Sequence, residues 1–352
     1  MFFQYRKVLF ISLLFLRQMI CANEILIDPV PVAMVYNPNP HYSLINSIDY
    51  HPKQHLFCVT YTHSNKVLLY EINAAGKPEM VQSLNNPLAK LSEPQHAVFS
   101  PDGEKIVVAN WTNQTLTIYQ REEGDFFCAK PAAVIPSPSS LIHCKPHGIA
   151  FSPCGNYLAI AYGAASCYGR AIALFYMTKE GLDCELVHVL EGTEALPGIP
   201  KGITFSPDGT CLLVTFSDVN SLVIFNLSGN NKTILQTPRQ VIQGQETRIF
   251  RPEDVKISAN GNYCAVSNSE QNTVTFYLFD KTLNLVTQRI PCYILQNPEA
   301  CLCFPHGIAF SPDGSFMLVS EFGLINTTEG GGIFWDNTTS PEQSKFNLYN
   351  FH

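Results

Sequence analysis

Six polar residues recur at one place in a block that the chain repeats. Asn46, His96, His147, Lys201, Glu253 and His306 each stand just ahead of a short apolar stretch that ends in Ser-Pro-Asp-Gly or a worn form of it. Three imidazoles, an amine and a carboxylate suit two kinds of chemistry. They can hold an anionic or hydroxylated small molecule by charge and hydrogen bonding, or they can ligate a divalent ion through His and Glu. They can equally fill a strand start and exclude water with no ligand at all. No nucleophile motif competes with them, since Gly-X-Ser-X-Gly, His-Glu-X-X-His and a Gly-rich phosphate loop are all missing from the sequence.

What must position these residues is the repeat itself. The block reads His96-Ala-Val-Phe-Ser-Pro-Asp-Gly103. It returns from His147 to Gly155, from Lys201 to Gly209 and from His306 to Gly314. Worn copies run from Glu253 to Gly261 and from Asn46 to Pro52. The Ser-Pro position falls at Ser100, Ser152, Ser206, Ser258 and Ser311, with Tyr50-His51 as the first equivalent, a spacing of 50 to 54 residues. A fixed period of that size signals a repeat architecture. Each unit has the same grammar. A strand precedes the Ser-Pro turn, where Pro presets φ and Gly takes the last position. A second strand rich in Val, Leu and Ala follows, then a polar connection, a third alternating strand and a fourth further on. Four antiparallel strands per unit around an axis make a β-propeller. The fold class expected is all-β, with six blades and seven as the alternative. The strand from Val32 to Tyr36 stands where other units place their fourth strand, and it can close the ring against the last unit.

In a propeller the first strand of each unit lines the central channel, so the six polar residues are expected to form a ring at one mouth. In a six-fold ring His147 and His306 are diametrically opposite. A single ion with bonds near 2 Å is not expected to reach both. No cofactor is called for, with a divalent metal left as the lesser option. The long loops at the same end, from Gly163 to Arg170 and from Glu321 to Gly332, add Arg170 and Glu321 as charged loop candidates. Cys128 and Cys144 bracket one crossing between blades. Cys292 and Cys301 or Cys303 bracket the equivalent crossing three blades later, and the matching placements suggest disulfides.

The block Gly-Ile-Ala-Phe-Ser-Pro-Asp-Gly, with Val107-Val-Ala-Asn110 and Thr115-Leu-Thr-Ile-Tyr119, resembles the YVTN-type repeats of lactonase-like propellers, the group that includes 6-phosphogluconolactonase-type enzymes. As a repeat pattern the resemblance covers residues 46–337. It implies the propeller fold. It leaves activity open, because many propellers of this kind are not enzymes.

The 352 residues are 46% hydrophobic and 14% charged, too apolar for disorder. A net charge of −7 argues against a nucleic-acid partner, which needs clustered Lys and Arg. Arg6 and Lys7, the apolar run from Val8 to Leu16, and Ile20-Cys21-Ala22 read as a secretory signal peptide over residues 1–22. Residues 23–352 are then a single propeller domain with no membrane span. Removing residues 1–22 takes away three basic and no acidic residues, so −7 becomes −10. The protein is expected to be secreted or periplasmic, where disulfides are allowed. Asn-X-Ser/Thr occurs at Asn110, Asn113, Asn226, Asn231, Asn326 and Asn337. The function expected is an exported binding or protein-interaction scaffold, with a small polar ligand or a protein partner on the loop-bearing face. The alternative is a lactonase-like hydrolase at the channel mouth, with His147 or His306 as base, Glu253 as orienter or acid, and Lys201 as the anion contact.

Overall fold

A computed structural model describes residues 27–36, 44–122, 126–163, 169–192, 195–229, 233–322, 326–327, 333–334 and 344–351. The expected signal peptide and the sequons at Asn231 and Asn337 lie outside the described residues.

Six sheets of antiparallel strands stand around one axis. The first blade runs outward through Ile45–Tyr50, Leu56–Tyr61, Lys66–Ile72 and Pro78–Asn85. The second uses Pro94–Phe99, Lys105–Asn110, Thr115–Gln120 and Ala133–Pro136, and the third Pro146–Phe151, Tyr157–Tyr162, Ala171–Thr178 and Asp183–Glu191. The fourth uses Pro200–Phe205, Cys211–Phe216, Ser221–Leu227 and Ile234–Gln243. In the fifth, Pro252–Ile257, Tyr263–Asn268 and Thr273–Asp280 carry an outer edge split between Leu285–Val286 and Tyr293–Gln296. The sixth blade has Pro305–Phe310, Phe316–Glu321 and Lys345–Asn350, and its outermost strand is Ala33–Tyr36 from the other end of the chain. That pairing closes the ring, as the lone early strand in the sequence implied, and six blades is the count.

Among the described residues no apolar cluster lies on the axis. The core is instead divided into six clusters, one between each pair of adjacent blades. This explains the nearly unbroken apolar second strands. Ile160 faces the second blade while its neighbours Ala159 and Ala161 face the fourth, and all three are fully buried. Two-sided burial removes the usual polar alternation. Truncating Ile160 to Ala would cost about 2–5 kcal/mol.

The Ser-Pro turns are stitched in one way. The Ser hydroxyl accepts a hydrogen bond from the backbone N–H five residues on, at Lys105, Tyr157, Cys211, Tyr263 and Phe316. Between blades the chain is fastened by asparagines in the left-handed region. Asn65, Asn220 and Asn272 accept from the backbone N–H of Glu93, Arg251 and Phe304 in the following blade. Backbones approach closely enough to require glycine at Gly148 and Gly202. A Cβ there would lie 2.2 Å from the Lys201 carbonyl oxygen and 2.5 Å from Asp254 Cα.

Two expectations are corrected here. All ten described cysteines are free thiols, including Cys128, Cys144, Cys292, Cys301 and Cys303. The cysteines do bracket the crossings, but each bracket spans a whole outer strand. The backbone N–H of Cys128 bonds to Gln120 at the foot of the second blade, while Cys144 follows strand Ala133–Pro136 at its other end. Four residues of strand rise about 13 Å, whereas a disulfide needs Cα atoms within about 7 Å. Glu321, placed above on a long loop, instead ends strand Phe316–Glu321 and is fully buried. Among the sequons, Asn110 is wholly buried and bonded to Ser92 and Thr117, which leaves no room for a glycan.

Candidate active site at the channel mouth

The inner strand of every blade carries an irregularity at the same place. In the third blade Pro146 pairs with Tyr162 and Gly148 with Ala161, so His147 is an extra residue in a β-bulge. The same break in register holds Glu253 in the fifth blade, and in the other blades Asn46-Ser47, Lys201-Gly202 and His306-Gly307. A bulge re-aims the side chain it carries. Here it turns one polar side chain per blade into the channel.

The second blade departs from the expected ring. Pro94 pairs with Asn110 and His96 with Ala109, so the bulged residue is Gln95. His96 sits one place deeper, at the level of Ser47 and Asp254. All three do one job, accepting the backbone N–H of the next inner strand. Ser47 Oγ accepts from Ala97 at 3.1 Å, His96 Nδ1 from Ile149 at 3.4 Å and Asp254 Oδ2 from Ile308 at 3.0 Å. The proline ahead of each bulge (Pro94, Pro146, Pro200, Pro252, Pro305) was the sequence signal for Gln95, and aligning the imidazoles hid it.

At the bulge level the side chains converge. Lys201 Nζ lies 3.2 Å from His147 Nε2 and 3.6 Å from Glu253 Oε2. Glu253 Oε2 lies 3.3 Å from His306 Nε2, and His306 Nδ1 donates to the Asn46 carbonyl at 2.7 Å. Asn46 Nδ2 donates in turn to Gln95 Oε1. The rings of His147 and His306 are only 5.5 Å apart. This overturns the expectation that opposite blades keep them out of reach of one ion, because side chains turned inward by bulges cross most of a narrow channel. The space they enclose is about 10 Å³, about what one water or one ion occupies.

Burial and charge set the protonation states. His147 is held well below the usual imidazole range by burial, by Lys201 and by His306, so it is neutral. Lys201 donates to its Nε2 lone pair. Burial pushes Glu253 up, but Lys201 and His306 outweigh it and bring the carboxyl down to about 2. His96 is likewise kept neutral by burial and by Lys256. With its Nδ1 accepting, its proton sits on Nε2, which has no hydrogen-bond partner among the described residues.

Above this cluster is an aromatic rim that the sequence reading missed. Trp111 meets His147 edge-on at 6.1 Å, and Phe322 stacks on His306 at 4.3 Å and on Phe304 at 5.7 Å. Lys145 Nζ is 5.9 Å from the Trp111 ring centre. Trp111 and Phe322 each follow the last residue of a second strand, where Thr62, Gly163, Ser217 and Ser269 stand in the other blades. Two aromatics at a position otherwise small was the available signal. Arg170 is half-buried just before strand Ala171–Thr178 and is not among the residues lining the polar cavity. Glu321 accepts from the backbone N–H of Cys303 at 2.8 Å, is bonded by Asn347 and lies 3.5 Å from Lys345. It does in the sixth blade what Asn110 and Asn268 do in the second and fifth, fastening the crossing from the preceding blade. Burial pushes its carboxyl up to about 8.

A second charged layer lies below. Lys256 Nζ is 3.9 Å from Asp49 Oδ1, and Asp49 Oδ2 accepts the Phe99 N–H at 2.9 Å. This layer floors the other mouth, a funnel of about 380 Å³ walled by Phe99, Phe151 and Phe205.

No family model matches the sequence. The adipocyte plasma membrane-associated protein Hemomucin of Drosophila melanogaster is 26% identical over 162 residues, 44% of this chain. The matched part is only about a quarter of that protein's length. Among solved structures, the periplasmic gluconolactonase of Pseudomonas aeruginosa superposes with a TM-score of 0.58 at 17% identity over 92% of this chain and 90% of that one. A luciferin-regenerating enzyme gives 0.62 at 11% identity over 93% and 95%. A protein assigned as a 6-phosphogluconolactonase in Bacteroides fragilis gives 0.56 at 13% identity over 86% of each chain. No helix among the described residues is long and apolar enough to cross a membrane. At the level of fold, the chain is an all-β propeller of six four-stranded blades, built like the lactonase-like propellers.

Proposed function

We propose that the protein binds a small, oxygen-rich cyclic ester at the channel mouth and hydrolyses it. The observation that carries this reading is the buried Lys201–His147–Glu253–His306 cluster under the rim of Trp111 and Phe322. Aromatic faces suit the apolar face of a sugar-like ring. A buried ammonium suits the oxyanion of ester opening.

The chain's own groups supply a sequence of steps. The lactone carbonyl oxygen takes the ammonium hydrogen bond that Lys201 gives to His147 Nε2. The freed lone pair on the neutral imidazole accepts a proton from water as the water oxygen attacks the carbonyl carbon. Lys201 stabilises the tetrahedral oxyanion, and Glu253 stabilises the imidazolium. The ring C–O bond then breaks, and the imidazolium proton passes to the leaving oxygen. The product is a hydroxy acid whose carboxylate faces Lys201. The names of the neighbouring structures support a lactone as the substrate class. The scaffold reading keeps the same mouth but no turnover.

Titrating acid release from a panel of sugar-acid lactones, with and without phosphate, tests this. Turnover by the wild type and a loss of about 10²-fold or more in Lys201→Met and His147→Ala are expected. A ligand-induced rise in melting temperature without turnover by the wild type would leave a binding protein. The same reading places the protein outside the cytoplasm, on the pattern of residues 1–22. N-terminal sequencing of the exported protein, expected to begin at Asn23, checks it.

A further inference from the structure

We propose that His147, Glu253 and His306 form a binding site for a first-row divalent cation of the zinc type, and that Lys201 is its built-in competitor. One ring nitrogen from each of the two histidines and a Glu253 oxygen lie within 4.8 Å of one another, and all three residues are buried. Bonds of about 2.0–2.2 Å place tetrahedral ligand atoms about 3.3–3.5 Å apart. The Glu253–His306 pair is already at 3.3 Å, so only His147 must move in.

The hydrogen bonds prepare the donors. His306 donates its Nδ1–H to the Asn46 carbonyl, which turns Nε2 toward the Glu253 carboxylate. The Nδ1–H to carbonyl bond is the second-shell pattern that orients metal-bound imidazoles. Two imidazoles and one carboxylate favour a zinc-type ion over calcium, which takes six or more oxygens. Three protein ligands leave a position open toward the mouth.

Beyond the ligands, Asn46 Oδ1, His96 Nε2 and Glu253 Oε2 are buried at this cavity and lack hydrogen-bond partners among the described residues. Lys201 now supplies the missing positive charge, with Nζ close to both His147 Nε2 and Glu253 Oε2. Its side chain is 22% exposed and flexible enough to swing to the rim. There its ammonium would meet a bound substrate. Metal and lysine are alternative cations for one site.

The test uses full-length mature protein stripped with chelator, with no substrate present. Zn²⁺ binding is followed by calorimetry, and Co²⁺ by its visible absorption. One ion per chain is expected, with binding weakened at least 100-fold in Glu253→Gln and in His306→Ala. Lys201→Met is expected to bind at least 10-fold more tightly than the wild type, a gain that misfolding cannot produce. No stoichiometric binding in either the wild type or Lys201→Met would overturn the site. Unchanged or weaker binding in Lys201→Met would overturn the competition. The site stands or falls apart from the hydrolase reading, since lactone turnover enters neither measurement.

Discussion

Glu253 and Asp254 are adjacent, both buried, and both face the channel, yet the fold uses them differently. Asp254 accepts the backbone N–H groups of Ile308 and Val255, and its layer pairs through Lys256. Asp49 on the same level accepts the Phe99 N–H. These carboxylates join blades. Glu253 accepts no backbone bond among the described residues, and its Oε2 has only Lys201 and His306 nearby. The difference separates a charge that the fold consumes from one that it leaves over. A buried charge held only by other ionisable side chains is the better functional candidate.

Substitution should split the pair cleanly. Glu253→Gln is expected to lower lactone turnover by about 10²–10³-fold, with a stability cost that appears only above about pH 4.5, where the carboxylate is paired with Lys201 and His306. Asp254→Ala should spare turnover and cost about 1–3 kcal/mol by stranding the buried Ile308 N–H. Urea titration of both variants beside their rates measures this. Equal loss of turnover in the two would erase the distinction.

The acid side of the rate profile sharpens it. With His147 held neutral by burial and by Lys201, the base stays available as pH falls. The acid limb of kcat/KM is therefore expected below the ordinary imidazole value of about 6.5. A limb at or above that value would remove His147 from the role.

The lower layer has its own pH signature. Burial raises Asp49 from 3.8 to about 6, so the folded state holds a proton that the unfolded chain has released. Stability must then fall as pH rises from about 4 to about 6, and level off above. Glu253 works in the opposite sense. Its carboxyl, lowered from 4.5 to about 2, adds stability that is present above about 4.5 and lost as pH falls toward 2. Asp49→Asn is expected to abolish its own decline, worth about 1–2 kcal/mol after allowance for partial exposure. Melting curves between pH 4 and 7 decide it.

How much of this was legible beforehand follows from what a repeat encodes. The Ser-Pro block marked the blades because every copy needs the same turn, and the lone strand before the first block marked the closure. Channel radius is not written in the spacing. The approach of His147 to His306 therefore could not be read, and a ring drawn as a circle kept them apart. Disulfides failed for a related reason, since matching positions in sequence said nothing about the outer strand lying between the cysteines. The deepest miss was a single residue. His96 looked like His147 and His306 because all three precede the same apolar stretch, but the second block is one residue shorter, so the proline-marked position is Gln95.

That miss yields the smallest and most selective effect. If His96 belongs with Ser47 and Asp254 as an acceptor for the next blade, a serine should serve there as it does at position 47, where Ser47 Oγ accepts the Ala97 N–H. His96→Ser is expected to keep stability within about 1 kcal/mol and lactone turnover within about threefold, whereas His96→Ala, which strands the buried Ile149 N–H, should cost about 1–2 kcal/mol. The order Ser above Ala does not come from side-chain volume, since both leave nearly the same void where the imidazole was, so the hydrogen bond is what produces it. A fall in turnover of about 10²-fold in a folded His96→Ser would instead move the Nε2–H of His96, unpartnered among the described residues, into the reaction and extend the leftover polar groups one layer deeper than Glu253.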